Sequence, residues 1–285
     1  MKTFCYHFIF LTLSFTPMLG VAADPNQFVK SNTWELSVST GFGKITNPVK
    51  GNKDLSLWLL PSINYYGENV YLHNTDIGYN LFENEHVFID IYGKLDELSL
   101  FHLDNASLSA AAVSPFSPSR GPQSDISIKV QRSATYLAGT KVGFSFDKQQ
   151  LSFELLTDVL GVHNGYQLSA LYQWRNSFNF GKVSFSTSID YFSSKQSGYY
   201  FYLNESDTHK ISPLFMPSND SVFTQHPAWM PSVKLEYVYP FSEQLSFVSF
   251  YRYQHLNLER EDTLLIDTFN LHSFFFGFHW KLYAG

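Results

Sequence analysis

The chain has 285 residues, with 19 Lys and Arg against 25 Asp and Glu and a formal charge of −6, a balance that disfavours nucleic acid as a partner. Aromatic residues make up 18% of it while mean hydropathy is slightly negative, and no apolar run beyond the N-terminus is long enough for a spanning helix. In a bilayer such a chain can satisfy its backbone polar groups only as a closed barrel.

At the N-terminus, Met1-Lys2 is a short positive start, and Phe4 to Leu19 is apolar apart from His7 and a few hydroxyl residues. Val21-Ala22-Ala23 supplies the small residues a signal peptidase needs, so residues 1–23 read as a cleaved signal peptide and 24–285 as the barrel domain. A retained membrane helix does not fit, because the apolar core is short and polar sequence follows at once. Cleavage removes Lys2 and leaves 18 basic against 25 acidic residues. It also removes Cys5, so the mature chain has neither disulfides nor thiol chemistry. Cys5 opens the apolar core rather than following it, and no lipid anchor is implied.

From there the dominant signal has a period of two. Trp34, Leu36, Val38, Thr40 and Phe42 alternate with Glu35, Ser37, Ser39 and Gly41. The clearest case is Val183, Phe185, Thr187, Ile189 and Tyr191 against Ser184, Ser186, Ser188 and Asp190, one face suited to lipid and the other to a wet lumen. Leu168, Ala170, Tyr172 and Trp174 against Gln167, Ser169, Gln173 and Arg175 repeat it. Further segments are 57–66, 70–81, 86–95, 135–147, 150–160, 231–239, 244–255 and 271–283, for eleven in all.

A bacterial barrel with both ends in the periplasm needs an even number of strands. Counting back from the C-terminus, the parity breaks between Lys44 and Asn80, where Asn74-Thr75-Asp76 reads as a turn splitting one segment in two. The expected fold is therefore all-β: a transmembrane, antiparallel, up-and-down β-barrel of 12 strands, with ten as the alternative, in the outer membrane of a Gram-negative cell. Tight turns at 83–85, 148–149, 176–180 and 240–243 belong to the periplasmic side. The two largest insertions, 96–134 and 195–228, fall where the alternation predicts extracellular loops. Tyr199-Tyr200-Phe201-Tyr202 in the second reads as an extended strand rising above the membrane.

Candidate chemistry is sparse. His163-Asn164-Gly165 reads first as a Gly-containing turn between strands. His209 with Asp207, and His226 near Asp220, are the positions where a loop could hold a metal or ligand, although loops of this composition are usually just solvated. No HExxH, Walker loop, GxSxG or paired-cysteine motif occurs, so neither catalytic, cofactor-binding nor metal-binding residues are assigned and no enzyme is expected. Arg175, Asp190, Lys234, Glu236, Arg252 and Lys281 form an inward polar row. Such residues can select ions in a pore, but a barrel this narrow more often fills its interior with paired side chains.

Several segments resemble the family of MltA-interacting, or OmpV-like, outer-membrane proteins (MipA/OmpV). The Trp34 strand leading to Gly41 and Gly43, followed by Leu60-Pro61-Ser62-Ile63-Asn64-Tyr65, is similar to that family's opening. Arg132-Ser133-Ala134-Thr135, Ala138-Gly139, Asp158 through Asn164-Gly165 to Tyr172, and Trp229-x-Pro231 are similar to its later strands. The chain departs from the family at Tyr200-Phe201-Tyr202-Leu203, at Asp262-Thr263-Leu264 and in the Ala284-Gly285 tail. The resemblance implies a non-enzymatic scaffold that holds a lytic transglycosylase near a bifunctional murein synthase. The residues themselves leave two other classes open, a small outer-membrane channel and a surface-binding, adhesin-like barrel.

Overall fold

In a computed structural model of the chain, the described residues are 32–102, 130, 132–204, 207, 225–259 and 263–285. Residues 1–23, expected to be a signal peptide, and most of both large insertions lie outside them. Twelve strands follow in order: β1 Thr33–Ile45, β2 Leu55–Tyr66, β3 Val70–His73, β4 Asp76–Glu83, β5 Val87–Leu95, β6 Tyr136–Phe146, β7 Gln149–Asp158, β8 Tyr166–Phe178, β9 Gly181–Phe192, β10 Ala228–Pro240, β11 Leu245–His255 and β12 Asn270–Ala284. A 3-10 helix, Glu97–His102, follows β5, and a helix α1, Ser194–Phe201, follows β9. Neither is long and apolar enough to cross a membrane.

Each strand pairs antiparallel with its chain neighbours, and β12 returns to β1 to close the barrel. The split that parity demands falls at Asn74-Thr75. Asn74 adopts φ 53°, its N–H donates to Ile63 O at 2.8 Å, and its Oδ1 accepts from Ile63 N–H at 2.9 Å. Asn tolerates the left-handed region and its side chain imitates a ladder partner, which is why two residues suffice for this hairpin.

Alternation sorts the side chains as the period of two requires. On β9, Ser184, Ser186, Ser188 and Asp190 are buried inward while Phe185 and Ile189 face outward. The outward set, including Phe42, Trp58, Phe153, Leu155, Leu235 and Phe276, would be an aggregating patch in water. In a bilayer it meets hydrocarbon.

The closing seam sets its own demand. Gly41 pairs with Gly277, and a Cβ on Gly41 would overlap the backbone of Phe276 and Gly277, while one on Gly277 would overlap Thr40. At the same place β1 carries a register irregularity against β2, opposite Trp58, and at the β1–β12 contact only residues without side chains fit.

Candidate functional site

The inner faces of the strands are apolar towards the loop-rich end, where Leu55, Leu57, Phe250, Leu271 and Phe275 are buried. Into this mouth fold the 3-10 helix and α1. Phe101, Tyr200, Phe201 and Tyr202 each have 0% exposure and join one cluster with those strand residues.

The expected strand at Tyr199–Tyr202 is therefore corrected: the segment is the end of a helix and lies inside the barrel mouth, not above the membrane. Four consecutive aromatics show no period, so the alternation could not distinguish strand from helix there. What decides it is the apolar inner wall, which buries Tyr200 and Phe201 on one side of a helix together with Gln196 and Ser197.

Polar bonds lock this plug. Arg132 donates twice to the Asp207 carboxylate, at 2.9 and 2.7 Å, as a bidentate pair with both side chains almost wholly buried. The same guanidinium donates to the carbonyls of Tyr199 and of Tyr202, the latter at 3.0 Å. Asp207 is thus committed to an arginine. Its suggested companion His209, and Asp220, the suggested companion of His226, lie outside the described residues. His226 stands 3.4 Å from Glu259. Among the described residues no group of three or more His, Cys, Asp and Glu is placed to hold a metal.

A second lock centres on Asp96. Its carboxylate accepts Leu98 N–H at 3.0 Å, Gln196 Nε2 at 2.9 Å and His163 Nε2 at 3.1 Å. Gly165 N–H donates to His163 Nδ1 at 2.9 Å, which assigns the ring proton to Nε2. His163 therefore spends both nitrogens on holding the β7–β8 turn to the plug. Asp158 completes that turn by accepting the N–H groups of Leu160, Gly161, His163 and Asn164. Sequence reasoning placed His163 in a turn but missed its buried link to Asp96, because partners separated by 67 positions leave no local pattern.

His102 ends the 3-10 helix against Tyr200, with ring centroids 5.7 Å apart. Burial pushes its imidazole down to about 4; the Arg132 guanidinium acts in the same sense, and Asp207 opposes it. A histidine whose seated value lies below its free value of about 6.5 favours the seated plug above that pH and the released plug as pH falls towards 4. The whole interval corresponds to about 3 kcal/mol. Planar-bilayer recordings should show openings growing as pH drops from 6.5 to 4, and His102→Phe should flatten that dependence. An unchanged pH response in the variant would assign the effect to another group.

Deeper in the lumen, Glu154 bridges Lys141 at 3.0 Å and Lys94 at 3.3 Å, all three nearly inaccessible. Tyr92 donates to Asp76 at 2.7 Å, and Tyr71 and Asn80 each donate to Asp90 at 2.9 Å. The six residues expected in the inward row do face inward, but they are not one constellation. Lys234 pairs with Glu236 at 2.8 Å, Lys281 with Glu35 at 3.5 Å, and Arg175 donates to Gln173 at 2.5 Å. Asp190 and Arg252 line a cavity of about 20 Å³ beneath the plug, with Lys94, Glu154 and Ser188. That is room for about one water rather than a solute path.

The family model for the MltA-interacting protein MipA matches residues 38–282. The chain belongs to the MipA family. Within its relatives, the "Putative outer membrane protein YiaT" of Escherichia coli K12 is 24% identical over 251 residues, covering 87% of this chain and 91% of its own, and that of Escherichia coli O157:H7 gives the same figures. Among solved structures, the NanC porin covers 87% of this MipA-family chain and all of its own at 10% identity with a TM-score of 0.40. The CymD monoaromatic hydrocarbon channel covers 90% of each chain at 11% identity and 0.34. The chain is an outer-membrane barrel protein of this family.

Proposed function

We propose that the barrel is a non-enzymatic scaffold that holds a lytic transglycosylase near a bifunctional murein synthase at the periplasmic end. The observation that carries this reading is the plug. A mouth sealed by Phe101 and Tyr200–Tyr202, and latched by the buried Arg132–Asp207 pair, makes a resting body rather than an open pore. Family membership supplies the kind of partner, since the family is described as MltA-interacting.

The surface offered to such partners is the end carrying the tight turns, and it is aromatic. Phe178 and Phe180 stack at 4.9 Å, and Phe241 packs edge-on against Tyr239 at 5.1 Å. Phe180 and Phe241 stay more than half exposed. Such rings anchor a barrel at the interface and suit shallow, transient contacts better than a large permanent one.

The test is a pull-down of the refolded barrel from a periplasmic and membrane extract of its own organism, with bilayer conductance on the same preparation. A murein hydrolase and a synthase recovered on a silent barrel are the expected result. Steady unitary conductance at neutral pH without such partners would replace this reading with that of a channel.

A further inference from the structure

The outward faces of the strands are almost free of charge, with one exception. Among the described strands the outward-facing basic side chains are Lys44 on β1, His272 on β12 and His255 on β11, three adjacent strands, all at the loop-bearing end. Each stands between inward, buried neighbours: Gly43 and Ile45, Leu271 and Ser273, Gln254 and Leu256. The loop following β1 adds two exposed cations, Lys50 and Lys53. It is tied to the loop between β11 and β12, because Lys50 N–H donates to Leu265 O at 2.7 Å and Asp267 N–H to Pro48 O at 2.9 Å.

Beside Lys44 and His272, on the same outward faces, lies a bed of rings. Phe42 contacts Trp58 at 5.2 Å and Phe274 at 5.8 Å, and Tyr253 lies 5.3 Å from His272. Tyr251 Oη and His272 Nδ1 share a hydrogen bond of 2.8 Å. On the adjoining strands β10, β9 and β8 the rim carries Trp229, Tyr191 and Tyr166 in an aromatic belt, ring to ring at 4.7 and 6.1 Å, with no outward basic side chain on the strands and the exposed Lys195 just after β9. An interfacial aromatic belt is generic to such barrels. Outward basic side chains on three adjacent strands only, with two loop lysines beside them, are not.

Whatever lies against an outward strand face at this height is lipid, so the charge decides which lipid. We propose that the β11–β12–β1 face binds a phosphate-bearing lipid of the outer leaflet, its headgroup phosphate taken by Lys44, Lys50 and Lys53 and its acyl chains laid on Phe42 and Trp58. Among the described residues three carboxylates oppose this. Asp54 holds Lys44 at 2.6 Å, Glu259 stands 3.4 Å from His226, and Asp267 is exposed nearby, so the positive excess rests on Lys50 and Lys53 against Asp267. Each lysine near an anionic headgroup adds roughly a few-fold to retention.

The experiment uses the refolded barrel in nanodiscs of phosphatidylethanolamine doped with diphosphorylated lipid A or with its dephosphorylated analogue, and counts retained lipid by native mass spectrometry. Diphosphorylated lipid A should be retained about tenfold over the analogue. The triple variant Lys44→Ala, Lys50→Ala, Lys53→Ala should lose that preference, and Asp54→Asn should increase it by freeing Lys44. All of these positions are exposed or half-exposed, and retained heat-modifiable gel mobility confirms that each variant is folded. Equal retention of the two lipids, or a triple variant that behaves as the parent, overturns the proposal. Displacement by millimolar inorganic phosphate alone also overturns it, by showing an anion site that does not need the lipid.

Discussion

Replacing Arg132 with alanine should turn the sealed barrel into a conducting one. The substitution deletes the bidentate pair and both bonds to the Tyr199 and Tyr202 carbonyls, and it leaves the Asp207 carboxylate, 2% exposed, buried without its cation. Breaking one side of a buried pair costs about 3–5 kcal/mol. The cheapest relief is to let α1 and its aromatic end leave the mouth, because that rehydrates Asp207 without unzipping any strand pair. Planar-bilayer recording at neutral pH should then show unitary steps absent from the parent. The double variant Arg132→Met, Asp207→Leu should be largely silent again, since it removes the charge together with its partner. A silent Arg132→Ala barrel would mean that apolar packing of Phe101 and Tyr200 alone holds the plug.

Gly277→Val should prevent the barrel from closing. The new side chain would point inward at the β1–β12 seam, and its Cβ would overlap Thr40 and the Cα of Gly41, which belong to backbone and cannot swing aside. Overpacking in a well-filled interior costs about 1–3 kcal/mol when side chains can yield, and more when backbone must. Refolding yield, read as the fraction with heat-modifiable gel mobility, should fall at least about tenfold. Phe276→Leu, one residue away but facing lipid, should refold nearly as the parent does. Normal closure of Gly277→Val would show that the two strands can separate locally at no great cost.

Both expected outcomes bear on how the lumen is sealed. The plug is held by ions and rings at the outer end, and the wall by strand pairing at the seam, so either can fail while the other persists. That separation is what the proposed scaffold would need, a periplasmic end open to partners and an outer end that stays shut. It also confines the expected pH response of His102 to the plug.

The amino-acid sequence by itself determined the wall. Alternation is a local property: residues two apart share a face whatever the rest of the chain does, so Ser184 to Asp190 could be assigned inward and Phe185 to Ile189 outward without knowing any partner. Parity then required a twelfth strand, and the turn-forming Asn74-Thr75 showed where it had to be split. The inward direction of Arg175, Lys234 and Arg252 followed from the same rule, but their partners did not. Tertiary structure alone decided what fills the barrel. Arg132 meets Asp207 75 positions away, and Asp96 meets Gln196 100 positions away, on segments with no period of their own. Tyr199–Tyr202 became a buried helix end because an apolar inner wall, assembled from β2, β11 and β12, was there to receive it. A strand's two faces are written in neighbouring residues, whereas the contents of a barrel depend on which distant strands closure brings to the same depth.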